Sequence, residues 1–239
     1  MIGFAFFFPG FYPDATFLIL IPGLILAMYA QFKVQSTFSR YVKVRADSGL
    51  TGAEVAKRLL DDAGIYDVSV EQTEGRLSDH FDPKKKALRL SSDVYNGASL
   101  ASLGVAAHET GHAMQHKGGY LPLNIRSAFV PVAQFGSTLA FPLFLIGFIF
   151  SSGWLLWAGI YLFSAVVVFQ LVTLPVEFNA SSRALASLQS GGYISQEEAG
   201  GAKKVLDAAA LTYVAAALMG ILQLLRLLIL AGAFGRRDD

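Results

Sequence analysis

Four apolar runs, each close to or beyond the length that crosses a bilayer as helix, constrain this chain more than any other feature. They cover about 16–32, 129–150, 154–176 and 211–234 of the 239 residues. A hydrocarbon core needs roughly 20 helical residues to span it. Inside it the backbone polar groups must pair within the segment, which favours helix. Pro22-Gly23 interrupts the first run, the third carries no charge, and the fourth contains Gln223 and Arg226. Trp154, Trp157 and Tyr161 stand where an interfacial aromatic belt is expected. Composition agrees: 54% of residues are hydrophobic and only 15% charged, against about 25% charged in a typical soluble domain. A net charge of +1 gives no reason to expect nucleic acid.

Residues 1–15 contain no Lys or Arg, and no small-residue cleavage site follows the first run. The run therefore reads as a retained anchor rather than a cleaved signal peptide. Its aromatic start (Phe4, Phe6, Phe7, Phe8, Phe11 and Tyr12) suits an interface. Basic residues cluster after the first run (Lys33, Arg40, Lys43, Arg45), before the second (Lys117, Arg126) and between the third and fourth (Arg183, Lys203, Lys204). The positive-inside rule then places 33–127 and 177–210 in the cytoplasm and both termini outside, in a plasma (inner) membrane. Arg236 and Arg237 in the tail are offset by Asp238 and Asp239.

Five segments are expected on this basis. They are an N-terminal membrane anchor (1–35), a cytoplasmic α/β unit (36–127), a transmembrane hairpin (128–176), a cytoplasmic helical segment (177–210) and a last transmembrane helix (211–239). Thr51 and Glu54 form a capping box that opens a helix ending near Gly64. Val68 and Val70 alternate with polar residues as in a half-buried strand. Ala87, Leu88 and Leu90 suggest a second strand after a turn at Asp82-Pro83, and this strand is expected to offer an edge to an extended substrate. A helix starts near Ser99. Ser195 and Glu198 repeat the capping-box pattern.

The helix after Ser99 carries the chemistry. The chain has no cysteine and four histidines, and three of these fall within nine residues. Thiolate metal sites are excluded, so a transition-metal site must use His, Asp or Glu. His108-Glu109-Thr110-Gly111-His112 is an H-E-x-x-H motif. Residues four apart share a helical face, so both imidazoles can meet one ion. Glu109 is rotated by about 100° from His108 and can act as a base on water instead of a ligand. A catalytic zinc keeps three protein ligands and an open position. Gly111 is read as leaving room over the site.

His116 lies on the same stripe, but about 12 Å along the axis from His108, too far for one tetrahedral zinc. It is read as a polar helix end. Glu177 is better placed, since it closes the third apolar run on the side of His108. The alternative there is an interfacial charge that ends a membrane helix. A helix running on from Glu177 puts Ser181 at i+4, where it can orient a ligand histidine.

Asp79-His80-Phe81-Asp82-Pro83 and the stretches 106–116, 174–184 and 206–216 carry a resemblance to the YugP-like family of membrane zinc metallopeptidases. The similarity covers nearly the whole chain. More distantly the chain resembles the gluzincins, including HtpX-type and CAAX-processing membrane proteases, which use H-E-x-x-H with a downstream E-x-x-x-D. The resemblance implies one Zn2+ per chain on His108, His112 and Glu177, with Glu109 catalytic. Ser181 stands where that pattern has Asp, and Asn179 or Asp207 is a substitute for it.

Other residues are read two ways. His80 contacts substrate or steadies an oxyanion, or belongs to a turn whose Asp79 and Asp82 satisfy backbone groups. Arg183 neutralises Glu177 or binds a carbonyl oxygen, or is an interfacial anchor. Tyr213 donates into the site or packs in the core. Lys84-Lys85-Lys86 is a solvated turn or a headgroup contact. The expected protein is thus an α-helical membrane protein of about four transmembrane helices with a small cytoplasmic α/β gluzincin-like unit. Its partners are the lipid bilayer and a protein or peptide substrate, whose peptide bonds it hydrolyses. A non-proteolytic scaffold that retains a zinc site is the alternative. A transporter component is a weaker one, because Arg226 is the lone charge within a span.

Overall fold

The structure, a computed structural model, describes residues 15–75 and 78–235. The aromatic N-terminal stretch and the charged tail therefore lie outside the described residues. A 3-10 turn, Ala15–Leu20, leads into α1 (Ile21–Tyr41). There follow α2 (Gly52–Asp62), β1 (Ser69–Thr73), β2 (His80–Asp82), β3 (Ala87–Ser91), the short α3 (Ser92–Tyr95) and α4 (Leu100–Lys117). Three long helices complete the chain: α5 (Leu121–Ile149), α6 (Gly153–Ser190) and α7 (Gln196–Gly235).

Four helical stretches are long and apolar enough to cross a membrane: Ala15–Tyr41, Leu121–Ile149, Gly153–Ser190 and Gln196–Gly232. Their outer faces carry exposed Ile25, Met28, Phe32, Phe135, Phe141 and Trp154, as lipid-facing surfaces do. Close backbone approach holds the α5–α6 hairpin together. A Cβ at Gly159 would lie 2.7 Å from the Ala140 carbonyl oxygen, so a residue without a side chain is needed where these helices cross. Helix α7 packs on both α1 and α6.

The membrane helices do not stop where their apolar runs stop. Helix α6 continues past Glu177 to Ser190, and α7 begins at Gln196, well before the fourth run. The segment 177–210 is therefore formed by extensions of two spans. Glu177 sits inside a continuous helix, not at its end. Leu188, Ala202 and Leu206 of these extensions pack with Val55, Leu59 and Leu103 of the α/β part in one buried cluster. That burial explains why the helices persist beyond the bilayer-length runs.

The α/β part follows its local signals. Thr51 and Glu54 form a reciprocal capping box, and Gly64 takes a left-handed φ of +65° after α2. Ser195 and Glu198 cap α7 in the same way. Lys117 Nζ donates to the carbonyls of Ala63 and Gly64, tying the end of α4 to the end of α2.

The sheet order is β1-β3-β2, with β1 parallel and β2 antiparallel to β3. This corrects the reading of the Ala87–Ser91 strand as a docking edge. It is the central strand, with Leu88 and Leu90 fully buried and both sides paired. His80–Asp82, for which a turn is one of the two readings, is an edge strand. The turn follows it, where Asp82 Oδ1 accepts from the N–H groups of Lys84 and Lys85.

Candidate metal centre

Two helices build the site. On α4, His108, Gly111, His112 and Gln115 recur at i, i+3, i+4 and i+7, which puts them on one face. On α6, Val176, Glu177, Ala180 and Ser181 fall at i, i+1, i+4 and i+5, two adjacent i, i+4 pairs that also share a face. The faces meet at Gly111, where a Cβ would stand 2.7 Å from the Ala180 carbonyl oxygen. Gly111 thus makes room for the backbone of α6, not for open space over the site as its position in the motif suggested. The close approach carries Glu177, one helical turn before Ala180, up to the histidines.

His108 Nε2 lies 3.2 Å and His112 Nε2 3.6 Å from Glu177 Oε2. The ligand atoms of the three residues all fall within 4.8 Å of one another. A tetrahedral zinc with bonds near 2.0–2.1 Å has donor-to-donor edges of roughly 3.3–3.4 Å, so the two separations from Glu177 Oε2 suit such an ion. Glu177 is 2% exposed. A carboxylate buried that deeply is expensive without cationic partners.

Hydrogen bonds behind the histidines fix how they face. Gln115 Nε2 donates to the Val176 carbonyl at 2.8 Å and to Asn179 Oδ1 at 3.0 Å. Its side-chain oxygen is left as acceptor, 3.0 Å from His112 Nδ1. His112 Nδ1 must then carry the proton, and in the neutral ring Nε2 presents a lone pair toward the Glu177 carboxylate. A lone pair and a carboxylate oxygen repel unless a cation lies between them. On the other ligand, Ser181 Oγ lies 3.1 Å from His108 Nδ1. Burial disfavours a charged His112 ring, but the bond to Glu177 and the field of Glu109 outweigh it and raise the pKa. The surroundings that would hold a proton there are those that would hold a metal.

A cavity of about 290 Å³ opens beside these residues. Glu109, 9% exposed, forms part of its wall, off the ligand stripe. His80, Arg126 and Tyr213 line it too. His80 Nδ1 is paired with the Ser78 carbonyl at 2.8 Å. His116 is set against Phe81, with ring centroids 5.9 Å apart, at the cavity rim. It lies outside the His108–His112–Glu177 group.

Two expected placements are not found. Arg183 Nε donates to Asn179 Oδ1 at 2.8 Å, and the guanidinium near Glu177 belongs to Arg126, at 3.6 Å. The reason is helical phase: Arg183 is six residues past Glu177 and so projects from another side of α6. Asp207 pairs with Lys203 one turn away and lines a separate cleft, so the place behind a ligand histidine is taken by Ser181.

Gln115, Arg126 and Asp79 were not singled out as site residues from sequence. Gln115 was legible in principle, three residues past His112 on the ligand stripe. Arg126 is distinguishable from a topology-setting charge only through the packing of α5. Asp79 accepts from Ser91 N–H at 2.7 Å and from Ser91 Oγ, pinning the approach to β2 against β3. Burial raises its carboxyl pKa and Glu109 adds to that rise, against the lowering effect of the Ser91 bonds.

Comparison with known proteins agrees with this geometry. Residues 16–232 match the family described as "Putative neutral zinc metallopeptidase". The chain is 53% identical over 208 residues to the "Putative membrane protease YugP" of Bacillus subtilis (strain 168), covering 87% of this chain and 92% of that one. No solved structure matches it. With a match spanning nearly the whole sequence, and a histidine pair and a buried glutamate brought together on packed helices inside it, the chain belongs to the family described as "Putative neutral zinc metallopeptidase".

Proposed function

We propose that this protein is a membrane-embedded, zinc-dependent endopeptidase that hydrolyses protein substrates at the cytoplasmic membrane face. The observation that carries the reading is the convergence of His108 Nε2, His112 Nε2 and the buried Glu177 carboxylate on one place. With Gln115 accepting from Nδ1, the neutral His112 ring turns its Nε2 lone pair to that same place.

His108, His112 and Glu177 would hold the ion. Zinc, when bound, supplies a Lewis acid that polarises a carbonyl and lowers the pKa of water toward neutrality. Glu109, on the cavity wall beside the ligands, takes the proton of the attacking water and later returns it to the leaving amine. The carbonyl oxygen gathers charge as the tetrahedral centre forms, and groups that donate hydrogen bonds favour that state. Tyr213 and Arg126 line the cavity, and we assign the role to them. The Arg126 guanidinium lines the cavity with one nitrogen 3.6 Å from Glu177 Oε1, so its positive charge stands beside the ligand set. The outer edge of β2, beside the cavity, suits an extended peptide added as a further strand. The cytoplasmic orientation rests on the basic residues that flank the α/β part.

Metal analysis of purified protein tests the ligand set. Wild type and His116→Ala should each hold close to one zinc per chain, and Glu177→Ala should not. Loss of zinc from His116→Ala with retention in Glu177→Ala would refute the assignment.

A further inference from the structure

A second cleft, of about 570 Å³, lies between α1 and α7, away from the metal centre. Lys33, Ser36 and Arg40 line it from α1, and Lys204, Asp207 and Leu211 from α7. Thr37, buried, adds a hydroxyl at its base. Asp207 is already engaged by Lys203. Among the described residues no carboxylate pairs with Lys33, Arg40 or Lys204. Arg40 stacks over Tyr41, with its guanidinium carbon 5.7 Å from the ring centre, and is held toward the cleft by that contact. Three cationic side chains thus converge with hydroxyls on a concave surface, with one neutralised acid among them.

Its height on the helices decides what kind of anion fits. Up to Phe32, α1 is lipid-facing: Ile25 and Tyr29 are exposed, and Lys33 follows them on the same face. Toward its C-terminus α7 changes in the same manner, from Lys204 through Leu211 to Val214 and Leu218, both partly exposed. The cleft therefore opens where both helices pass from hydrocarbon to water. Basic pockets between membrane helices at this level suit anionic headgroups. A phosphodiester in the cleft would leave its acyl chains beside Ile25 and Tyr29 on one side and Leu211 and Leu218 on the other.

We propose that the α1–α7 cleft is a binding site for the phosphate of an anionic phospholipid, held by Lys33, Arg40 and Lys204. The site is independent of the peptidase reading. Its ligand bridges the first and last spans, with its headgroup beside the segment of α7 that packs on α4.

Native mass spectrometry of the full chain released from mixed phosphatidylglycerol and phosphatidylcholine nanodiscs tests this. Wild type should retain phosphatidylglycerol over phosphatidylcholine. The Lys33→Gln/Arg40→Gln/Lys204→Gln variant should bind it roughly a hundredfold more weakly, the loss expected for three basic groups near a headgroup. The Lys84→Gln/Lys85→Gln/Lys86→Gln variant has the same change in charge on an exposed turn and should bind like wild type. Lys204→Gln alone, at an exposed position, should show a smaller loss in the same direction. Equal loss in both triple variants, or equal retention of the two lipids by wild type, would overturn the proposal. Displacement of the lipid by millimolar inorganic phosphate would overturn the lipid as the source of the phosphate.

Discussion

His112 Nδ1 lies 3.0 Å from the side-chain oxygen of Gln115, whose nitrogen is committed to the Val176 carbonyl. One side chain thereby sets a ligand's tautomer and ties the motif helix to the helix that brings Glu177.

Gln115→Leu is expected to keep the fold and weaken zinc about 10- to 100-fold, the range for loss of a partner behind a ligand histidine. Chelator competition on the purified variant measures this. Unchanged affinity would show that the ring is held by α4 packing alone.

Gly111→Val should disturb the site without touching a ligand. An added Cβ meets the Ala180 carbonyl oxygen at 2.7 Å, so α4 and α6 must separate. Overpacking of this kind costs about 1–3 kcal/mol and moves Glu177 away from the imidazoles. A lower melting temperature together with lower zinc occupancy is expected, with Gly111→Ala affected less. A variant that loses neither would mean the helices have slack at this crossing.

Asp79 gives a pH signature. Its pKa is raised in the folded state, mainly by burial, so the native protein binds this proton more tightly than the unfolded chain. Stability linked to Asp79 is then greatest below the unfolded value near 3.8 and falls as pH rises through the native value. Asp79→Asn keeps an acceptor for the Ser91 N–H but does not ionise. Its melting temperature relative to wild type should rise across that window and level off above it. A difference that does not vary with pH would contradict the burial argument.

Much of this fold is legible in the sequence because its signals are local. Both capping boxes, the stop at Gly64 and the four apolar runs depend on residues within a turn or a span of one another. The H-E-x-x-H spacing is likewise a property of one helix. What could not be read depends on packing between elements. The persistence of α6 to Ser190 comes from burial of Leu188 against the α/β part, and hydropathy alone ends the helix near Glu177. Strand order placed β3 in the centre, although nothing in Ala87–Ser91 distinguishes a central strand from an edge. Arg126 and Arg183 are both basic residues near span ends, and only the packing and helical phase of α5 and α6 decide which one reaches Glu177.

Topology can be tested against a clean background, because the chain has no cysteine. A cysteine at Ser92 should resist an impermeant thiol reagent in intact cells and react after lysis. One at Ser152, in the α5–α6 turn, should label from outside. The reverse pattern would place the metal centre on the extracytoplasmic side.

The central claim is tested most directly by cleavage of an unfolded protein substrate by the zinc-loaded wild type beside Glu109→Gln, with zinc quantified in both. Glu109 lies on the cavity wall but outside the ligand group. Both proteins should therefore hold one zinc per chain while only the wild type cleaves. Equal cleavage by the two, or a wild type that holds zinc and cleaves nothing, would contradict the account.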